Sequence, residues 1–396
     1  MKTMFMDGNA AAAEAMRLAR IQVVAAYPIT PQSPIAEGLA KFCVQGTLDA
    51  KYMRIESEHS AMSACVGAAL TGVRVGTATA SVGLALMHEI LNVASGLRLP
   101  IVMPVVNRAL VAPWSLWCDH SDAMPERDSG WLQLYAEDAQ ESLDLALIAY
   151  RVAEHPEVML PVMVCLDGFF VSHTGMAVRV PDQSEVDEFL PPYHTDNLLL
   201  DPDKPMFVNP LTMSDEYTEL KYQHKIGADK AEQVLPEVMA EFAKKFGRKY
   251  EPVEFYKCDD AEEVVVTLGS MSGTASYVVD QLRAKGQKVG LARIVSFRPF
   301  PHRLLRERLA GVKRIAVLER ATSIGGAGGP VLAEVRSTLT NLPVRVEGFV
   351  AGLGGRDITP ATIEKVFDHL RTAEPQCRPT WADVRSDAMT IREVVQ

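Results

Sequence analysis

The sequence predicts two α/β domains, the first of them doubly wound around a largely parallel sheet. Helix and strand patterns alternate through the first 170 residues, several of the strands are continuous apolar runs, and the alternation resumes from Ala261. Such alternation is typical of parallel sheets covered by helices. We therefore predict a first domain over 1–170 and a second, smaller domain over 257–396.

Start and stop signals place the elements of the first domain. Asn9 is predicted to cap the first helix, Ser33 and Pro34 to begin the second helix, which ends near Gly46, and Gly72 to close the third. In chain order we predict helix AAAAEAMRLA, strand QVVAAYPI, the helix from Ser33, strand KYMRIES, helix EHSAMSACVGAAL, strand VRVGTATA, helix SVGLALMHEILNVASG, strand PIVMPVVN, helix QESLDLALIAYRVAEH and strand VMLPVMVCLD.

The stretch 171–256 differs from both predicted domains. It holds the acidic, proline-containing PDQSEVDEFLPPYH and DNLLLDPDKP, followed by the charged KAEQVLPEVMAEFAKKFGRKY. A structureless connector of that length is uncommon inside a compact domain. We expect an extended connector with one helix that lies over the protein surface or on a partner.

The second domain repeats the α/β pattern. We predict strand EEVVVTLG, helix SGTASYVVDQLRAKG, strands KVGLARIVSF, KRIAVLE and VRVEGFVA, and helix ITPATIEKVFDHLRTA. Thr359 and Pro360 give the last helix a cap and a first-turn proline.

Composition and charge exclude several classes of protein. The chain has 396 residues, of which 48% are hydrophobic, so it forms cores rather than a disordered polymer. Its formal net charge of -10 with no basic tail argues against nucleic acid as a partner. No apolar run reaches the length of about 18 residues that a membrane span needs. The N-terminus has acidic and basic residues within its apolar stretch, which predicts an amphipathic helix rather than a secretory signal.

The six cysteines are not paired as C-x-x-C. Without a secretory signal, this predicts free thiols in a reducing cytoplasm. It also predicts that this chain carries no iron–sulfur ligand set of its own.

The loop YPITP leaves the carboxyl end of the first buried strand, the edge of the sheet where ligands bind. Its prolines, Pro28 and Pro31, stiffen the loop and could hold the Thr30 hydroxyl toward a ligand. The alternative is a proline-rich strand exit in which Thr30 satisfies nearby backbone.

Two charged residues follow other strands of the first domain. Glu58 begins a helix of small residues, where it is either a structural cap favoured by the helix dipole or a buried carboxylate that shares a proton with a cofactor ring. Arg108 follows VMPVVN, where it is either a clamp for a substrate carboxylate or a rim salt bridge to Asp119, Asp122 or Glu126.

Three further patterns are assigned structural roles or rejected. GGAGG at 325–329 and GLGG at 352–355 could cradle a phosphate, but tight strand–helix turns are favoured. Asp119, His120 and Asp122 lie too close in sequence to indicate a metal site, and no metal is predicted. A partial likeness to the signature that binds Mg²⁺ and thiamine diphosphate is found in Asp167-Gly168 and Asp196-Asn197. Neither half of that signature is intact, so we reject a diphosphate-binding role for these residues.

Taken together, several segments resemble the alpha subunit of 2-oxoacid:ferredoxin oxidoreductases, best known in the multi-subunit pyruvate-oxidising type. The segments are YPITP, ESEHSAMSACVGAALTGVRVGTATAS, GLALMHE, RLPIVM, NRAL, SLWCDH, RDSGW and VGLARIVSFRPFP. The resemblance implies a thiamine-pyrimidine-binding doubly wound domain followed by a transketolase C-terminal-like α/β domain. It also implies oxidative decarboxylation of a 2-oxoacid with coenzyme A, giving acyl-CoA, CO₂ and reduced ferredoxin.

The resemblance implies roles for five residues. Glu58 is implied to be the catalytic glutamate, which hydrogen-bonds the aminopyrimidine ring of thiamine diphosphate and favours its imino tautomer. Thr30 and Arg108 are implied to bind the substrate, and Leu116 to line its pocket. Ile29 is implied to contact the cofactor.

The resemblance also implies cofactors and partners. Thiamine diphosphate is shared with a beta subunit that binds its diphosphate and Mg²⁺, and [4Fe-4S] clusters lie on partner subunits. Gamma and delta subunits complete the complex, with ferredoxin as acceptor and coenzyme A as co-substrate. The missing diphosphate signature and missing cysteine clusters agree with that division of labour.

Pyruvate is the predicted 2-oxoacid. Oxalate-oxidising members of the resembled family have arginine at the position of Thr30, and an unpaired second carboxylate in a dry pocket would be costly. Branched-chain, aryl, 2-oxoglutarate and oxalate substrates stay open as alternatives. So do a ferredoxin-independent thiamine enzyme subunit and a non-catalytic scaffold.

Overall fold

The computed structural model describes residues 1–195 and 200–385. Its strands are β1 (Lys2–Met6), β2 (Val23–Ala26), β3 (Lys51–Arg54), β4 (Val75–Gly76), β5 (Val102–Asn107), β6 (Leu132–Ala136), β7 (Val162–Asp167), β8 (Met176–Val180), β9 (Val253–Tyr256), β10 (Glu263–Leu268), β11 (Val289–Ile294), β12 (Ser296–Arg298), β13 (Arg314–Glu319), β14 (Arg345–Val350) and β15 (Thr380–Trp381). Its α-helices are α1 (Gly8–Leu18), α2 (Ser33–Val44), α3 (Glu58–Ala69), α4 (Ser81–Gly96), α5 (Ala139–Ala153), α6 (Gln183–Phe189), α7 (Tyr217–Phe246), α8 (Met271–Ala284), α9 (His302–Leu309), α10 (Pro330–Thr338) and α11 (Pro360–Thr372).

The chain divides into two units. The first comprises Met1–Pro252 with Ile294–Pro301, and the second comprises Val253–Arg293 with the described residues from His302 onward. The first unit contains a seven-stranded sheet in the order β12-β6-β7-β5-β4-β2-β3. All its pairs are parallel except β12 with β6. Consecutive parallel strands are connected through α-helices, except β5 and β6, which are joined by a loop with a short 3-10 helix. The predicted doubly wound α/β fold is therefore confirmed.

The N-terminal segment differs from the predicted single amphipathic helix. Lys2–Met6 pairs antiparallel with β8, and α1 begins only after it. Asp7 caps α1 by accepting a hydrogen bond from the Ala10 amide at 2.8 Å. The prediction that Asn9 is the cap was wrong, because Asn9 lies inside the helix, fully buried, and donates instead to the Pro31 carbonyl at 3.0 Å.

Strands at the margins were harder to predict than the helices. The predicted strand VRVGTATA has ladder geometry only over Val75–Gly76, and β6 was not predicted. The predicted strand KVGLARIVSF is two strands, of which β11 belongs to the second unit and β12 to the first. Tyr135 donates its backbone N–H to the Val295 carbonyl at 2.8 Å, which ties β12 to the edge of the first sheet.

The stretch 171–256 is more ordered than an extended connector with one helix. It contains β8, α6 and the 30-residue helix α7, although 196–199 lie outside the described residues. Phe189 of α6 packs on Phe242 and Phe246 of α7, with ring centroids 5.5 and 5.6 Å apart. These rings belong to the same apolar core as α1 and α5. Burying their surface stabilises the first unit, so both helices belong to it.

The second unit is built on a six-stranded sheet in the order β15-β14-β13-β10-β11-β9. The register of β10 with β13 and of β13 with β14 is parallel. Thr359 caps α11 as predicted, since its hydroxyl accepts from the Thr362 amide at 3.3 Å and Pro360 occupies the first turn. Among the described residues, no helix combines the length and apolar character that crossing a bilayer requires.

Candidate functional site

The carboxyl edge of the first sheet gathers the polar residues singled out in the sequence. Neighbouring strands β7, β5, β4, β2 and β3 end there, because they run parallel. The residues at or just beyond these ends are, in the order of the strands, Asp167, Arg108, Thr79, Thr30 and Glu58. Ligands of doubly wound sheets bind along this edge.

Glu58 is the first residue of α3, after Ser57, whose hydroxyl caps the helix by accepting from the Ser60 amide. Glu58 itself is only 7% exposed. Within 1–195 and 200–385, no hydrogen bond or ion pair to its carboxylate is found, so the structural-cap interpretation is not supported. A buried carboxylate without a partner is costly, and it is suited to a ligand that donates to it.

Two residues that sequence reasoning did not single out shape the surroundings of Glu58. Gly83 of α4 lies against it, because a Cβ added at Gly83 would come within 2.6 Å of Glu58 Oε1 and 2.7 Å of Thr79 Oγ1. The Thr79 hydroxyl is buried and has no hydrogen-bond partner in the part of the chain that the structure describes. A glycine in a helix of otherwise ordinary composition was the available signal, but a single sequence does not say what it faces.

Arg108 and Thr30, which the sequence analysis considered separately, are in contact. Arg108 donates from Nη1 to the Thr30 carbonyl at 2.9 Å and from Nε to the Ser115 carbonyl at 3.1 Å. Its side chain is 6% exposed, and burial lowers the pKa of its guanidinium while the charge of Asp122 opposes that shift. No carboxylate in the described chain lies within ion-pair distance of the guanidinium, so the alternative interpretation of Arg108 as part of a rim salt bridge is not supported. The Asp122 carboxylate instead accepts from the Arg108 backbone N–H at 2.9 Å.

The remaining predicted site residues line the same region. Ile29 is half-buried in the loop before Thr30, and Thr30 itself is exposed. Leu116 is 39% exposed and follows Ser115, whose carbonyl holds Arg108. These placements put Ile29 and Leu116 on the two loops that Arg108 joins, and their contacts with ligands remain predictions.

A buried cluster of possible metal ligands lies at the same edge, and it shares only His120 with the set considered in the sequence. Cys118, His120 and Asp167 place ligand atoms within 4.8 Å of one another. His120 Nε2 and Asp167 Oδ1 are 2.8 Å apart, a hydrogen-bond distance that leaves no space for an ion between them. Asp167 of the rejected thiamine signature is thus bonded to His120, while Asp196 and Asn197 lie outside the described residues.

The glycine-rich loop 325–329 leads into α10, and a side chain of this chain already accepts hydrogen bonds from the amides at the N-terminus of that helix. Glu319 accepts from the amides of Val331 at 3.0 Å and Leu332 at 3.3 Å. A Cβ at Gly329 would come within 2.2 Å of the Glu319 carboxyl carbon, which explains the glycine there. The tight-turn interpretation is therefore favoured over a phosphate cradle.

Glu319 gives the second unit a predicted pH dependence. Burial raises the pKa of its carboxyl to about 8, against an unfolded value near 4.5. The folded protein then binds the proton more tightly, so its stability should fall as pH rises from about 4.5 through about 8. Glu319→Gln should flatten that fall and be the more stable protein at pH 8, by at least about 1 kcal/mol. Thermal denaturation of both proteins between pH 5 and 9 measures this, and parallel curves would contradict it.

Comparison with protein families identifies the chain. Residues 14–240 match the family described as pyruvate flavodoxin/ferredoxin oxidoreductase, thiamine diphosphate-binding, and residues 261–363 match pyruvate:ferredoxin oxidoreductase core domain II. The chain belongs to the pyruvate flavodoxin/ferredoxin oxidoreductase family. The resemblance identified in the sequence is thereby confirmed, as is the order of a thiamine-binding domain followed by a second α/β domain.

Relatives within this family cover nearly the whole chain. It is 50% identical to pyruvate synthase subunit PorA of Methanocaldococcus jannaschii over 369 residues, which are 93% of this chain and 94% of that protein. It is 45% identical to ketoisovalerate oxidoreductase subunit VorA of Pyrococcus abyssi over 368 residues, 92% of each chain.

The fold recurs in a solved structure, the 2-oxoglutarate:ferredoxin oxidoreductase of Magnetococcus marinus, with a TM-score of 0.74. That match has 19% sequence identity and covers 93% of the present chain and 65% of the Magnetococcus marinus chain, so it supports the fold alone.

Proposed function

We propose that this chain is the alpha subunit of a thiamine diphosphate-dependent 2-oxoacid:ferredoxin oxidoreductase, with pyruvate as its substrate. The reaction converts the 2-oxoacid and coenzyme A to acyl-CoA and CO₂, and two electrons pass to ferredoxin. The observation that carries the proposal is the position of Glu58 in this chain, which belongs to a thiamine diphosphate-binding family. Glu58 is buried at the ligand-binding edge of the sheet, and its carboxylate has no partner among the described residues.

Glu58 fits the aminopyrimidine ring of thiamine diphosphate. Such a ring offers a nitrogen-bound proton, and the carboxylate is a two-oxygen acceptor that nothing else in the described chain occupies. Because water is largely excluded around Glu58, a hydrogen bond made there is stronger than the same bond in solvent. Glu58 would hold this proton on the ring and so favour the tautomer that acts as a base. When bound, thiamine supplies the electron sink that makes loss of CO₂ feasible.

Arg108 and Thr30 would bind the substrate. Five N–H donors belong to a guanidinium, and Arg108 uses two of them on the carbonyls of Thr30 and Ser115. The remaining donors suit a carboxylate, whose charge would also compensate a buried cation. Because residue 30 is threonine rather than a second cation beside Arg108, a monocarboxylic 2-oxoacid is favoured. Pyruvate is our first choice, and a branched-chain 2-oxoacid is the second because a ketoisovalerate oxidoreductase subunit is 45% identical.

The rest of the chemistry would lie on partner chains. We expect a beta subunit to bind the diphosphate and Mg²⁺, and beta and delta subunits to carry [4Fe-4S] clusters, with gamma completing the complex. Four of the six cysteines here are fully or nearly buried, and the sequence pairs none as C-x-x-C. Thiolate ligands for a cluster normally come as closely spaced sets.

The native complex tests the proposal directly. Purified with its partners and supplied with coenzyme A, it should reduce a viologen dye when given pyruvate, and more slowly with branched-chain, aryl or dicarboxylic 2-oxoacids. Reduction that needs coenzyme A and a 2-oxoacid supports the proposal. A colourless complex that instead acylates a lipoyl protein would assign the chain to ferredoxin-independent thiamine enzymes, and no turnover of any 2-oxoacid would refute both.

A further inference from the structure

The Asp122 carboxylate lies buried where three segments of the candidate site meet. It is 1% exposed. Oδ2 accepts from the backbone amides of Ser81 and Arg108, each at 2.9 Å. Oδ1 accepts from the Asn107 side-chain amide and the Ala123 backbone amide, each at 2.8 Å. Four donors therefore converge on one buried side chain.

These donors come from elements that carry the proposed site. Ser81 is the first residue of α4, whose Gly83 lies against Glu58. Arg108 begins the loop after β5, and its guanidinium holds the Thr30 carbonyl. A second bond, from the Ser81 hydroxyl to the Ala109 carbonyl at 2.6 Å, joins the same two segments. The Asp122 carboxylate is thus a common anchor for the start of α4 and for the backbone of Arg108.

A carboxylate suits this anchor better than an amide. Its two oxygens are both acceptors, matching four N–H donors, whereas an asparagine would turn an NH₂ group toward two of them. Burial raises the pKa of Asp122, and the bonds from Asn107, Arg108 and Ser81 oppose that rise, so these N–H groups compensate part of the cost of burying the charge. The helix dipole at the start of α4 favours the same charge.

We propose that Asp122 is a positioning residue for 2-oxoacid binding, acting through the backbone of Arg108. The proposal rests on the proposed function, since it assigns Arg108 to the substrate carboxylate. Displacing the Arg108 backbone would move its guanidinium away from the position fixed by the Thr30 and Ser115 carbonyls. A displacement of about 1 Å at a positioned group can cost about a hundredfold in rate at subsaturating substrate.

Asp122→Asn in the whole complex is the main test. The KM for pyruvate should rise by about tenfold or more while kcat changes by less than about threefold, because binding rather than chemistry is weakened. The start of α4, which positions Gly83 beside Glu58, keeps its separate bond from the Ser81 hydroxyl to the Ala109 carbonyl. The KM for coenzyme A in the same protein is an internal control and should stay unchanged. A general loss of folding would lower the amount of active complex but would not raise one KM selectively.

Asp144→Asn is the matched control. Asp144 is also a fully buried carboxylate of the first unit, bonded by Arg248 and Tyr250 rather than by the site loops. This variant should lower the melting temperature without changing the KM for pyruvate. An equal rise in both variants, or an unchanged KM in Asp122→Asn, would overturn the proposal.

Asn107→Ala keeps the test decisive if Asp122→Asn does not fold. It removes one of the four donors and should raise the KM for pyruvate by a smaller factor, about two- to fivefold. No rise would count against Asp122 as well. If the wild-type complex itself turns over no 2-oxoacid, the proposed function fails. If it turns over pyruvate and these variants bind it normally, only the role of Asp122 fails.

Discussion

Glu58→Gln should abolish 2-oxoacid-dependent dye reduction by the complex. The amide keeps the size of the side chain but cannot hold a ring proton as a carboxylate does, and losing that function should cost about 10²- to 10⁴-fold in kcat. Binding of the 2-oxoacid should change little, because Arg108 and Thr30 are untouched. Steady-state kinetics of the purified complex with pyruvate and coenzyme A measures both quantities.

The stability of this variant should not fall with its activity. The Glu58 side chain is 7% exposed and makes no hydrogen bond within the described residues, so replacing its carboxylate with an amide of the same size breaks no bond. We expect a melting temperature equal to or above that of the wild type. Glu56→Gln is the control, since Glu56 is an exposed glutamate two residues earlier and its substitution should leave activity unchanged. Activity of Glu58→Gln within tenfold of wild type would remove Glu58 from the mechanism.

The alternation of helices and strands was enough to predict the fold class, because buried parallel strands and amphipathic helices leave strong local patterns. β5 and α4 were predicted almost to the residue. The sequence was weaker where pairing, rather than pattern, makes a strand. β12 has only three residues and exists because it pairs with β6, which lies far away in sequence. β4 has two, since its ladder with β2 is equally short.

For the candidate site, too, the positions that depend on local sequence could be predicted, whereas the contacts between distant residues could not. Glu58, Thr30 and Arg108 each follow a strand, so their place at the carboxyl edge could be predicted from chain order alone. Their partners could not be. The sequence offers Asp122 as an ion-pair partner of Arg108 or as a weak metal ligand, yet it bonds the Arg108 backbone, and nothing in the spacing of 108 and 122 indicates that arrangement. Gly83 was read only as part of a helix, because the side chain it faces comes from another helix.

Gly83→Ala should remove most activity while leaving the fold intact. The new Cβ would lie 2.6 Å from Glu58 Oε1, 2.8 Å from Glu58 Cγ and 2.7 Å from Thr79 Oγ1, so the Glu58 side chain must turn away. The carboxylate is the free end of a flexible side chain, whereas shifting Glu58 Cγ and the buried Thr79 hydroxyl costs stability. That cost is offset by the preference for alanine over glycine within a helix, which is about 0.5–1 kcal/mol. The melting temperature should therefore stay close to that of the wild type. A carboxylate displaced by about 1 Å should cost about a hundredfold in kcat.

Gly67→Ala separates this effect from the general consequence of placing alanine in a helix. Gly67 lies within α3, and a Cβ added there would meet nothing within 4 Å, so this variant should be fully active and slightly more stable. If both variants keep full activity, the carboxylate tolerates displacement, and its contact with a ring proton cannot be as specific as the proposed mechanism requires. If Gly83→Ala alone loses activity, adding Glu58→Gln to it should cost little more, because the two changes disable the same group.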